Sequence, residues 1–148
     1  PHLVFQALWD DEIVLAVAAA HPWARRRQVS LEELVAEPFI LRESGSGTRR
    51  ITEEALRSHG VPSSAQLNVV AEFGSSTAVK EGIIHGVGVS LISSRAVDAE
   101  VRAGLVAALR IKGLVLKRSF YIARDPRRSM SPLCRAFLSF LKSSRSSS

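Results

Sequence analysis

Twice along this chain a short apolar run gives way to a loop of small residues, and the loop gives way to a helical pattern. First, Phe39-Ile40-Leu41 leads through Arg42, Glu43, Ser44, Gly45, Ser46, Gly47 and Thr48 into Ile51-Thr52-Glu53-Glu54-Ala55-Leu56. Then residues 66–73, which alternate, lead through Gly74, Ser75, Ser76 and Thr77 into a helix over 78–85. Strands alternating with helices argue for an α/β fold with a mixed, mostly parallel sheet. The repeated unit also carries chemistry. The first turn of a helix presents free N–H groups and a partial positive charge. Glycines let a ligand approach that backbone, and serine or threonine hydroxyls can cap the helix or bind an anion. In such sheets ligands sit at the carboxyl ends of strands, where helices begin.

Two readings follow from these residues. Both helices could simply be well capped after buried strands. Alternatively, the loops converge on one small anion or polar acid, with Ser44, Ser46, Gly47, Thr48 and Arg49 on one side and Ser75, Ser76 and Thr77 on the other. Arg42 or Arg49 would then either offer a bidentate fork to a carboxylate or form an ordinary surface ion pair.

The rest of the chain fits the same architecture. Residues 3–8 read as a strand, Asp10-Asp11-Glu12 as a polar break, and residues 13–18 as a second strand ended by His21-Pro22. Trp23 to Gln28 reads as an exposed basic turn. Ser30-Leu31-Glu32-Glu33 is a capping box opening a helix that Pro38 stops. Gly60 and Pro62 end the helix after Thr48. Gly86 to Ile92 reads as a turn and a buried strand, residues 95–102 as a helix ended by Gly104, and residues 105–111 as a strand. Lys112-Gly113 reads as a tight turn before a long strand over 114–123. Ser131 caps a last helix with Pro132 in its first position. Leu133, Ala136, Phe137, Phe140 and Leu141 form a one-sided apolar stripe there. Residues 143–148 read as a disordered, serine-rich tail.

Composition narrows the function classes. The 148 residues are 46% hydrophobic, enough for a buried core. The formal net charge of +6 comes mostly from short clusters at Arg25-Arg26-Arg27, Arg49-Arg50 and Arg127-Arg128. It permits anionic partners, but a DNA-reading element is also needed. Residues 54–65 mimic a helix-turn-helix, yet the recognition helix would cover Ser64 to Phe73, where alternation fits a strand better. No run of about 18 apolar residues spans a membrane. The single cysteine, Cys134, precludes a disulfide framework, fits a reducing compartment, and reads as a buried structural thiol rather than a nucleophile. His2, His21, His59 and His85 lack ligand spacing, so neither a metal nor a cofactor is expected. The phosphate-loop, dinucleotide and hydrolase-elbow patterns all fail. The chain opens inside a strand-like pattern without a signal sequence, which suggests a fragment.

The order of Asp10-Asp11-Glu12-Ile13-Val14-Leu15, His21-Pro22, Val29-Ser30-Leu31-Glu32-Glu33-Leu34, Glu37-Pro38-Phe39-Ile40 and the residues from Arg42 to Arg49 resembles LysR-type transcriptional regulators. Ala78-Val79-Lys80-Glu81-Gly82, Gly86-Val87-Gly88-Val89-Ser90 and residues 133–141 continue the likeness over nearly the whole chain. The resemblance implies an effector-binding domain like type 2 periplasmic binding proteins, with two α/β lobes and a small effector in the cleft. By that analogy residues 12–117 are the second lobe. Residues 1–11 and 118–142 are part of the first, with crossovers near 8–12 and 117–121. The family's winged helix-turn-helix, its linker helix and half of its first lobe have no counterpart here. The expected protein is thus a cytoplasmic sensor, not an enzyme. It would bind a small anionic or carboxylate effector, self-associate, and reach DNA only through a helix-turn-helix outside this chain. A lobe of a solute-binding protein is the alternative.

Overall fold

The computed structural model describes residues 2–61 and 66–144. The expectations placed on Pro62, Ser63, Ser64, Ala65 and residues 145–148 lie outside it. Its longest strand is β1, Val4–Ala18, fifteen residues without interruption. The polar break anticipated at Asp10-Asp11-Glu12 does not occur, because each acid finds a partner far along the chain. Ser119 Oγ donates to Asp10 at 2.6 Å, Arg118 Nε donates to Asp11 at 2.7 Å, and Arg110 forks onto Glu12 at 2.9 and 3.2 Å. Polar side chains held this way cost the strand little.

The chain divides into two compact units, Pro1–Asp11 with Lys117–Ser148, and Glu12–Leu116. In the larger unit β1 lies between β5, Ser90–Ser93, and β6, Val106–Ile111. It runs antiparallel to both, with Leu15 opposite Leu91 and Leu109. The short β2, Gln28–Val29, joins β6 in parallel. β3, Phe39–Arg42, and β4, Val69–Phe73, pair in parallel. Ile40 N donates to Val89 O and Val89 N to Pro38 O, both at 2.8 Å, so β3 also runs parallel to the chain entering β5. The sheet is therefore mixed.

Strand alternation sorts side chains onto two faces. Ile13, Leu15, Val17, Phe39 and Leu41 join Leu34 of α1, Leu31–Ala36, and Leu56 of α2, Gly47–Ser58. Val14, Ala16 and Ile40 join Val79 and Ile83 of α3, Ser76–Ile84, and Val97 of α4, Ser94–Arg102. Helices thus cover both faces. Ser30 closes the expected capping box with Glu33.

Other local expectations shift once packing is visible. Trp23 is buried, edge-on to His21 with ring centroids 5.0 Å apart, rather than part of an exposed turn. Residues 66–68 precede β4 instead of belonging to it. Val69 and Val70 are exposed because β4 lies at the end of its sheet. Leu114 closes the Lys112-Gly113 turn against Ile111, so the long strand starts later.

In the smaller unit β7, Leu116–Arg124, pairs with β1, and Arg118 lies 4.9 Å from the Phe120 ring centroid. Helix α5, Pro132–Ser144, includes Ser143 and Ser144, which had been assigned to the tail. Ser131 Oγ accepts from Cys134 N at 3.1 Å, as a cap should. Cys134 is exposed, not buried. Its neighbours Leu133, Phe137 and Phe140 are exposed too, so among the described residues no packed face closes over the thiol.

Candidate functional site

The parallel pairing of β3 and β4 brings their carboxyl ends side by side, with Arg42 opposite Phe73 and Glu43 N donating to Phe73 O at 3.1 Å. Each strand end feeds a helix start. The two helices pack on opposite faces of the sheet, because Phe39 and Leu41 point to one and Ile40 to the other. The helix starts therefore flank one end of the sheet from either side, and Gly47, Thr48, Ser76 and Thr77, expected in loops, lie in the first turns of α2 and α3.

At the first start, Ser46 is the N-cap of α2, its Oγ accepting from Arg49 N at 3.4 Å. Gly45 adopts φ 95°, a left-handed turn that a side chain would strain. Ser44 and Gly47 are exposed, whereas Ser46 and Thr48 are buried. A Cβ on Gly47 would meet nothing within 4 Å, so the space over this first turn is open to a ligand. A recess of about 560 Å³ lies there, walled by Ser44, Gly45, Ser46, Gly47, Arg49, Arg50 and Glu53.

At the second start, Ser75 is the N-cap of α3, its Oγ accepting from Ala78 N at 3.1 Å. Ser75 and Thr77 are exposed and Ser76 is half-buried. None of the three walls the recess over α2.

What joins the two starts is a set of charged side chains. Arg42 Nη1 donates to Ser76 Oγ at 2.8 Å, while its Nε and Nη2 fork onto Glu43 at 2.7 and 2.9 Å. Arg49 donates from Nε to Glu53 at 2.9 Å, and from Nη1 to Glu72 at 2.8 Å and to the Arg42 carbonyl at 3.0 Å. The Arg42 guanidinium holds the Glu43 carboxyl below the usual carboxylate range. Of the two possibilities raised for these arginines, the structure places both in ion pairs. Their forks face protein carboxylates.

Ser76 accepts from a guanidinium, which leaves its own proton free for an acceptor elsewhere. The sequence does not reveal this tie, since Arg42 and Ser76 are 34 residues apart. It also passes over Thr52 and Ser90. Thr52 lies one turn after Thr48, a spacing that puts both hydroxyls on one helix face and could have marked them. Among the described residues no group of three or more His, Cys, Asp or Glu could hold a metal.

Comparison with known proteins follows the same lines. Residues 1–146 match the model of the LysR substrate binding domain. The RuBisCO operon transcriptional regulator of Acidithiobacillus ferrooxidans is 34% identical over 140 residues, 95% of this chain and 44% of that protein. The transcriptional activator CmpR of Synechocystis is 33% identical over 132 residues, 89% of this chain and 42% of its own. The chain thus spans under half the length of these relatives. Among solved structures, the regulatory domain of Synechocystis CcmR in complex with 2-PG superposes with a TM-score of 0.80 at 28% identity, covering 97% of this chain and 67% of that one. The effector binding domain of QuiR with shikimate shares the fold at a TM-score of 0.77 and 21% identity, covering 98% and 66%. This chain belongs to the LysR substrate-binding domain family.

Proposed function

We propose that this chain is the effector-sensing part of a LysR-type transcriptional regulator, a binding domain rather than an enzyme. In this reading it takes up a small anionic metabolite, a carboxylate or phosphorylated acid, at the strand ends where α2 and α3 begin. The observation that carries the reading is the pair of serine-capped helix starts at adjacent parallel strand ends, tied through Arg42 and Ser76. Ser46, Gly47 and Thr48 would supply donors from one side, and Ser75, Ser76 and Thr77 from the other. Helix N-termini favour anions through their free N–H groups and dipole. The arginines contribute by fixing this frame, since Glu43, Glu53 and Glu72 already balance them. The complex of CcmR with 2-PG supports a phosphorylated acid as the first ligand to try. DNA binding, self-association and a cytoplasmic location follow the family and belong to the whole protein.

Thermal unfolding of the whole protein against 2-phosphoglycolate, shikimate and inorganic phosphate tests the reading. A ligand at 100 times its Kd stabilises the native state by about 2.7 kcal/mol. That raises Tm by several degrees. No shift with any acid in a broad panel would refute an anion-sensing role.

A further inference from the structure

The second turn of α2 carries a hydroxyl with no protein partner. Thr52 is 2% exposed, and its Oγ1 has no hydrogen-bond partner among the described residues. Buried hydroxyls are as a rule satisfied, and a helical threonine commonly bonds back to a carbonyl one turn earlier. Thr52 does not. It lines a recess of about 10 Å³ beneath α2, at the carboxyl end of β3. That volume is about what one water-sized oxygen needs. Arg42, Thr48, Arg49 and Ser90 also line it, so the recess is polar as well as small.

The sheet explains why it exists. Among the described residues, the backbone bonds between β3 and the segment entering β5 run through Val89, to Pro38 O and from Ile40 N. One residue later the Ser90 hydroxyl donates to Ile40 O at 2.8 Å, taking the place of a ladder bond. The recess opens just beyond, between β3 and β5.

We propose that this recess binds a single oxygen atom, supplied by a water or by an acid or hydroxyl group of the effector, and that Thr52 is the donor to it. The water source stands on geometry alone. The effector source rests on the functional reading above, and places Thr52 as a ligand-contacting residue below the first turn of α2.

Thr52→Val keeps the side-chain shape and removes the hydroxyl, whereas Thr52→Ser keeps the hydroxyl. Both are made in the whole protein and read two ways, by urea unfolding without ligand and by calorimetric titration with 2-phosphoglycolate. A water source predicts that Thr52→Val unfolds at lower urea than wild type. An effector source predicts that Thr52→Val binds 2-phosphoglycolate about tenfold more weakly, the size expected for one hydrogen bond to a charged group, while Thr52→Ser stays within about threefold. The proposal is overturned if Thr52→Val unfolds at the same or higher urea and also binds the probe as wild type does. If wild type binds no 2-phosphoglycolate, the effector source falls, and the unfolding comparison still decides whether an oxygen occupies the recess.

Discussion

Alanine at Gly88 would place a Cβ 2.6 Å from the carbonyl oxygen of Pro38 and 3.0 Å from its carbon. An ordinary carbon–oxygen contact is about 3.3 Å or more, so one backbone must retreat by roughly 0.7 Å. Neither strand can do so freely. Pro38 O accepts from Val89 N, and Val89 O accepts from Ile40 N, both at 2.8 Å. These are the bonds that seat β3 beside β5, and Phe39, Ile40 and Val89 around them are buried. Overpacking a core costs about 1–3 kcal/mol. Weakening two buried hydrogen bonds adds about 1 kcal/mol each. The reduced freedom of the unfolded chain returns about 0.4–1 kcal/mol. The net expectation is a destabilisation of about 2–4 kcal/mol. Equilibrium urea unfolding reads it directly. With a slope of about 1–3 kcal/mol/M, the midpoint should fall by roughly 1 M or more with the slope unchanged. Gly47→Ala is the control, because a Cβ there meets nothing within 4 Å. It should stay within about 0.5 kcal/mol of wild type. A Gly88→Ala midpoint equal to that of Gly47→Ala would refute the claim that the Pro38 carbonyl sets this residue.

Further outcomes follow from the ion pairs. The Asp11 side chain is 0% exposed and paired with Arg118, so Asp11→Ala should destabilise by about 3 kcal/mol, because the Arg118 guanidinium loses a fully buried carboxylate partner. A chemical denaturation midpoint within error of wild type would contradict this. The carboxyl of Glu33 is pulled down from 4.5 to about 2, first by the hydrogen bonds from Arg26 and then by that from Ser30 N. A depressed carboxylate stabilises the fold fully above its unfolded pKa and loses that contribution as pH falls. The stability gap between wild type and Glu33→Gln should therefore be constant above about pH 5 and close as pH falls from 4.5 to about 2. A gap that widens on acidification would show that the sign is wrong.

Sequence and tertiary structure divided the work by distance. The start of α1 was legible because a capping hydroxyl reaches only three residues, as Ser30 does to Glu33 N; α2 and α3 were also expected after their serine-rich stretches, but they begin earlier than expected, at Gly47 and Ser76, behind the caps Ser46 and Ser75. The helix stop at Gly60 was legible for the same reason, its φ of 85° being a local demand. The family likeness rested on many such local pieces in a fixed order. Interactions across the fold were not legible. Asp10, Asp11 and Glu12 looked like a break, since their partners Ser119, Arg118 and Arg110 lie about a hundred residues away. Trp23 looked exposed among arginines until packing covered it, and Cys134 looked buried although no described residue closes over it. At the candidate site the residue types were evident, but their roles were not. Only the parallel pairing of β3 with β4 brings Arg42 to Ser76 and Arg49 to Glu72, contacts that join the two helix starts. A hydrogen bond between strands is set by register, and register is a property of the packed sheet rather than of either segment.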